Sequence, residues 1–242
     1  MSDCSKPTRR AFFLASAALV ATTVLAPGVT LYARPLNGAA PGTKRWGFLI
    51  DTNKCGSGCD TCVTACAKEF ALVEHGRPET DPQWIRKVTL EDPDTGQKQS
   101  LPVMCQHCEH PPCVDVCPTG ASFKREDGIV LVNRHICIGC RYCVLACPYK
   151  ARNFVHEDVT DQKEWAPRGK GTAEACTMCV HRIDAGRIPA CVEACNKEAG
   201  GAMLFGDLND PDSEIAKRVA AYKSSALRPE LQTNPGVRYQ GI

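Results

Sequence analysis

The sequence predicts an α+β protein whose interior is organised around cysteine rather than around a large aromatic core. Three observations carry this. Of 242 residues only 6% are aromatic while seventeen are cysteine, and a core of this size usually takes much of its bulk from Phe, Trp and Tyr. Sixteen of the cysteines fall into four runs of four, an internal repeat whose every copy ends in a C-x3-C step. Around the runs lie short strand-like segments separated by turn signals.

In chain order, residues 1–33 read as an export signal. Thr8-Arg9-Arg10-Ala11-Phe12-Phe13-Leu14 opens an apolar stretch that runs to about Val29. A charged segment followed by a hydrophobic one is the pattern of a secretory signal, and the adjacent arginines resemble the twin-arginine (Tat) type. Cleavage after Ala33 or Ala40 would remove Cys4; an uncleaved membrane anchor is the alternative, since the stretch is about the minimum length to span. The Tat route carries folded, cofactor-loaded proteins, so thiolates occupied in the cytoplasm would escape the oxidising compartment outside it. The expected location is the periplasm, with membrane association through partners.

Trp46 to Ile50 reads as a strand entering the first run. Trp84 to Leu90 reads as a second, ending at the turn-like Glu91-Asp92-Pro93-Asp94-Thr95-Gly96. Ala121 to Phe123 and Ile129 to Val132 read as a hairpin joined through Asp127-Gly128. Ala202 to Phe205 reads as a closing strand, and short helices are expected after each run. Asp212 to Ala226 reads as one amphipathic helix with Ile215, Val219 and Tyr222 on a stripe, and Pro229 to Ile242 as an extended tail with a docking or packing role. The formal net charge is +2, and without residues 1–33 the basic and acidic residues balance. No basic stripe argues for nucleic acid.

The four runs are Cys55, Cys59, Cys62, Cys66; Cys105, Cys108, Cys113, Cys117; Cys137, Cys140, Cys143, Cys147; and Cys176, Cys179, Cys191, Cys195. The third, CIGCRYCVLACP, matches the bacterial ferredoxin pattern for [4Fe–4S] ligation. A two-residue gap wraps successive thiolates around one corner of a cubane. The last cysteine, at i+4, lies one helical turn on and points to a second cubane. Disulfides are a weaker reading of such a repeat. Zinc leaves the third cysteine of the third run and the regular C-x3-C steps unexplained. Covalent c-type haem needs C-x-x-C-H, and Glu109, Arg141 and Val180 stand where that His would be.

Over about residues 45 to 207 these runs resemble the four-cluster iron–sulfur subunits of membrane-bound and molybdenum oxidoreductases. That family includes the beta subunits of dimethyl sulfoxide, polysulfide and tetrathionate reductases and NrfC-like proteins. The resemblance implies two bacterial-type two-cluster ferredoxin-like units, the inner inserted in the outer, with loop-rich insertions and a C-terminal helix and tail. The outer unit would comprise 45–100 and 160–208, the inner 101–159, and the helix and tail 209–242. It also implies four ligand sets: Cys55, Cys59, Cys62 with Cys195; Cys176, Cys179, Cys191 with Cys66; Cys105, Cys108, Cys113 with Cys147; and Cys137, Cys140, Cys143 with Cys117. Two departures stand out. Gly56-Ser57-Gly58 widens the first gap, where glycines would allow a tight turn. Pro118 and Pro148 follow the last cysteine of the inner runs, whereas Ala67 and Asn196 stand there in the outer ones.

The signal, the widened first run and Asn209-Asp210-Pro211-Asp212-Ser213-Glu214-Ile215 further resemble the DsrO-type subunits of DsrMKJOP complexes of sulfur metabolism. That implies a non-enzymatic relay of single electrons, with an integral membrane quinone-interacting partner (DsrP- or NrfD-like) and a multihaem c-type cytochrome (DsrJ-like). The alternative partner is the molybdopterin subunit of a polysulfide, tetrathionate or thiosulfate reductase. His107, His110 and His181 lie near the runs as alternative ligands or as donors to cluster sulfur. Arg141, Tyr142 and Arg182 lie beside ligands and are either packing residues or groups that raise cluster potentials.

Overall fold

The computed structural model describes residues 42–242; the proposed signal and Cys4 lie outside the described residues. The architecture is mixed α/β, built of small sheets and short helices. Strand β1 (Trp46–Asp51) is central in the largest sheet. It pairs antiparallel with β8 (Met203–Asp207), placing Phe48 opposite Phe205, and parallel with β9 (Val237–Gln240), placing Phe48 opposite Val237. Phe48, Leu49 and Ile50 are all buried, as expected for consecutive side chains of a strand covered on both faces.

Three two-stranded ribbons complete the strands: β2 (Ile85–Glu91) with β3 (Lys98–Met104), β4 (Ser122–Lys124) with β5 (Val130–Val132), and β6 (Asn153–Phe154) with β7 (Ala173–Glu174). The sequence reading anticipates the positions of β1, β2, β4, β5 and β8. It does not anticipate β3, which contains Pro102, a residue that normally argues against a strand. In a two-stranded ribbon every strand is an edge, where proline is tolerated.

The helices follow the cysteine repeat. They are α1 (Thr61–Phe70), α2 (Pro112–Asp115), α3 (Tyr142–Ala146), α4 (Val180–Ile183), α5 (Ala190–Glu198) and α6 (Glu214–Ala221). The third cysteine of every run is the second residue of its helix: Cys62 in α1, Cys113 in α2, Cys143 in α3, Cys191 in α5. The inner helices α2 and α3 are short because Pro118 and Pro148 keep Cys117 and Cys147 out of the helical region; Cys147 is extended at φ −75°, ψ 111°. With Ala67 and Asn196 in the equivalent places, α1 and α5 continue to Phe70 and Glu198. Helix α1 packs on α5, and α2 packs on α3.

The expected helix over Asp212–Ala226 is shorter than its apolar stripe suggested. It starts at the Ser213 cap, whose Oγ accepts from the Ala216 N–H at 3.2 Å, and ends at Ala221. Tyr222 is extended and 61% exposed, so Ile215, fully buried, is the anchor of the stripe. The expected extended tail instead forms a 3-10 turn (Pro229–Leu231) and then β9.

The deficit of aromatic residues is made up as composition suggested. One continuous core contains Phe48, Phe70, Trp84, Leu101, Met104 and Tyr239 together with eight buried cysteines. Beside it, Arg168 and Glu174 form a buried bidentate pair, Nε to Oε2 at 2.8 Å and Nη2 to Oε1 at 2.9 Å. The second Nη donates to the carbonyl of Ala71, just past the end of α1. Glu174→Gln leaves a buried guanidinium uncompensated and is expected to cost about 3–5 kcal/mol, read as a lowered denaturant midpoint. Replacing both residues by Met and Leu should cost less than the single change. A midpoint unmoved by Glu174→Gln would contradict this.

Candidate metal centres

The four runs share one loop geometry. The residue before the second cysteine has a left-handed backbone in every run: Gly58 at φ 84°, His107 at 43°, Gly139 at 72° and Met178 at 56°. A non-glycine residue held there carries strain of roughly 1–3 kcal/mol, so His107 and Met178 are held by their surroundings. Gly139 has a second reason to lack a side chain: a Cβ would collide with the carbonyl of Gly171. The widened first loop is closed by the Cys59 N–H donating to the Gly56 carbonyl at 3.3 Å, with Gly58 making the turn.

The thiols influence one another across runs as well as within them. Cys62 is influenced electrostatically by Cys55, Cys59 and Cys195, and Cys66, one turn along the same helix, chiefly by Cys176, Cys191 and Cys179. Cys108 interacts with Cys113 and Cys147, and Cys105 with Cys113. Cys143 interacts with Cys137 and Cys117. Cys117, Cys137, Cys140 and Cys143 line one small cavity, with Cys140 the exposed thiol. The sets lie near one another: Cys62 and Cys66 share helix α1, Cys113 and Cys143 share one buried cluster, and Cys105 and Cys176 share the main core.

Burial pushes the Cys62 and Cys179 thiols up to about 12 and the Cys108 and Cys176 thiols to about 11, and raises Cys66, Cys105 and Cys191 well above the ordinary value. Such thiols stay protonated at neutral pH unless iron displaces the proton, so binding must release protons. Backbone N–H groups already point at sulfur. Ser122 donates to Cys117 at 3.3 Å, Ala151 to Cys147 at 3.4 Å, Met178 to Cys176 at 3.4 Å and Ala173 to Cys137 at 3.5 Å. Hydrogen bonds of this kind tune metal-bound thiolates.

Two cations reach sulfur, and the sequence reading named neither. Lys87, on β2, donates to Cys55 Sγ at 2.8 Å. Arg152 donates to Cys113 Sγ at 3.1 Å. Both are more than thirty positions from the cysteine they touch, and no local motif marks them. The arginines named for that role are anchored by other groups, although Arg182 also acts electrostatically on Cys179. Arg141 lies over the Phe154 ring, 4.0 Å from its centroid. Arg182 is held by Glu69 and Glu193 at 2.7–2.8 Å, and with His181 it draws Glu69 down to about 2. Tyr142 is exposed on α3.

The His107 and His181 rings are likewise engaged away from a ligand role. His181 Nε2 meets Glu69 at 2.7 Å. His107 is fully buried, and its Nδ1 accepts from the Val130 N–H at 3.1 Å, which leaves the proton on Nε2. The His110 backbone N–H donates to the Thr233 carbonyl.

All sixteen thiols outside residues 1–41 are free. An all-thiolate donor set is the chemistry that holds a [4Fe–4S] cluster. The buried Arg152 Nε and Nη1 and His107 Nε2, each without a protein partner, are N–H donors that suit inorganic sulfur.

Comparison with known proteins agrees. Residues 97–208 match the family described as "4Fe-4S dicluster domain". The chain is 41% identical to the Hdr-like menaquinol oxidoreductase iron-sulfur subunit 1 of Archaeoglobus fulgidus, covering 96% of this chain and 97% of that one. It is 42% identical to a subunit of the tetrathionate reductase of Salmonella typhimurium, covering 82% and 73%. It is 36% identical to Protein NrfC of Escherichia coli, covering 94% and 92%. The chain belongs to the family of 4Fe–4S iron–sulfur subunits of oxidoreductases.

Proposed function

We propose that this chain is a periplasmic relay carrying four [4Fe–4S] clusters, exported by the Tat pathway and working between a membrane quinone-interacting subunit and a second redox partner. Each cluster, when bound, supplies one-electron redox chemistry. The residues of the chain hold the sites, exclude water from most of them and set their charge environment. The ligand sets are those named above, and the two nested ferredoxin-like units are 45–100 with 160–208, and 101–159. Packing of α1 on α5 and of α2 on α3 supports that nesting.

The observation that carries the proposal is that cysteines of different runs share one interior: eight of them lie in a single buried core, and Cys113 packs with Cys143 in a smaller cluster. Sites that lie side by side in one interior form a path, and a path is of use to electrons rather than to a substrate. The Archaeoglobus relative belongs to a menaquinol oxidoreductase, which supports a quinol-side, NrfD- or DsrP-like partner and the DsrO type. The tetrathionate reductase relative supports the alternative, a beta subunit serving a molybdopterin protein. One feature of the surface suits a permanent partner of either kind. Around exposed Cys140, Leu145 is 81% exposed, Ile138 67% and Tyr142 57%, and clustered exposed apolar side chains mark interfaces. We assign this face to the redox subunit that exchanges electrons with the chain.

The test is purification of the exported protein from its host. About sixteen iron and sixteen acid-labile sulfide per chain are expected, together with a multihaem cytochrome that Leu145→Glu removes. A large molybdopterin protein in its place would favour the alternative. Iron near zero would end both.

A further inference from the structure

Arg152 has an unusual environment for a buried cation. It is 4% exposed. Its Nη2 donates to Cys113 Sγ at 3.1 Å and to Ser122 Oγ at 2.9 Å. Its Nε and Nη1 are buried without a partner. The ionisable groups that act on it are the thiols of Cys113, Cys105 and Cys143, and no carboxylate pairs with it. These cysteines belong to two different sets, Cys113 and Cys105 to one and Cys143 to the other.

A guanidinium taken out of water without a counter-charge costs several kcal/mol. Arg168, also buried, meets that cost with Glu174. Around Arg152 only sulfur is available, and neutral thiols do not supply the charge. Metal-bound thiolates would. The neighbouring Ser122 extends the link, because its own N–H donates to Cys117 of the second set. His107, next to Cys108 in the chain, adds a buried Nε2–H without a partner.

We propose that Arg152 is a shared positioning residue: one buried cation between the two inner sites, donating directly to Cys113 of one and linked through Ser122 to Cys117 of the other, and raising the potential of both clusters together. It rests on the four-cluster function proposed above. The sign follows from charge. Reduction adds an electron to each site, so removing a neighbouring positive charge must disfavour it in both.

The test is EPR-monitored potentiometry of the loaded full chain. Arg152→Gln is expected to lower the reduced-to-oxidised ratio about tenfold at fixed potential, ~59 mV for a one-electron couple, in two of the four clusters. Arg152→Lys, which keeps the charge and loses the fork, should shift both less. Lys87→Gln should move a different cluster, and Ser122→Ala, which removes one hydrogen bond and no charge, should move none by a comparable amount. Arg152→Gln protein that loads only two clusters, with Arg152→Lys restoring four, would support the same assignment. Unshifted potentials, a shift common to all four clusters, or a loading defect that lysine does not restore would overturn it. Wild-type iron far below about sixteen would instead sink the four-cluster function.

Discussion

Cys66→Ser is expected to remove a cluster that its own run does not otherwise hold. Cys62 and Cys66 are one turn apart on α1 and both are buried, yet their partners differ. Cys62 interacts with Cys55, Cys59 and Cys195, and Cys66 chiefly with Cys176, Cys179 and Cys191. If the sets are crossed in this way, Cys66→Ser and Cys191→Ser damage one site, and Cys62→Ser and Cys195→Ser damage another. Each single change should reduce iron by about four of about sixteen per chain, or by less where a three-iron form survives. The pattern of doubles is more telling than any single value, because changes acting on one unit do not add while independent ones do. Cys66→Ser with Cys191→Ser should lose no more iron than either alone. Cys66→Ser with Cys62→Ser should lose about twice as much. The opposite pattern, with Cys62 and Cys66 non-additive, would mean that each run closes on its own cluster. Stability should fall in step, because the free energy of metal binding is also folding free energy in sites of this kind.

Much of the site was legible because its signal is local. The four runs announce themselves by spacing, and so does the contrast between Pro118 and Pro148 in the inner runs and Ala67 and Asn196 in the outer ones. The structure turns that contrast into helix length. Strands β1, β2, β4, β5 and β8 were visible as short strand-like segments set off by turn signals. What escaped depends on distant contacts. Pro102 disguised β3, since its tolerance comes from belonging to a two-stranded ribbon. Lys87 and Arg152 sit outside every run and become neighbours of sulfur only when β2 and the segment before β6 fold against the loops. Arg141 and Arg182, adjacent to cysteines in sequence, are drawn instead to Phe154 and to Glu69 and Glu193. For a side chain this long, proximity in sequence is a poor guide to where the charge ends up.

Truncation after Ser224 is expected to damage a centre more than a hundred residues earlier in the chain. The last eighteen residues supply β9, the parallel neighbour of β1. They also bring in Tyr239, fully buried, whose hydroxyl donates to the Pro102 carbonyl at 3.0 Å and accepts from Gln106 at 3.3 Å. The segment before β9 lies along the second run. The Gly236 N–H donates to the Gln106 carbonyl, and the Glu109 and His110 N–H groups donate to the carbonyls of Asn234 and Thr233. Thr233 Oγ1 lies 2.6 Å from the Tyr149 hydroxyl. The tail is therefore part of the wall around Cys105, Cys108, Cys113 and Cys147. Its loss should open that set to water and remove its iron first. Tyr239→Ala alone should cost about 3–5 kcal/mol, as for other large buried aromatics, measured as a fall in the denaturant midpoint. Thr233→Val, which deletes one hydrogen-bonding group, should cost about 1 kcal/mol and perturb the EPR signal of one cluster. A tail that served only to dock a partner would behave differently: the truncated chain would keep all its iron and its midpoint, and lose only co-purification. That result would return residues 225–242 to the role of an arm and leave the second run to shield itself.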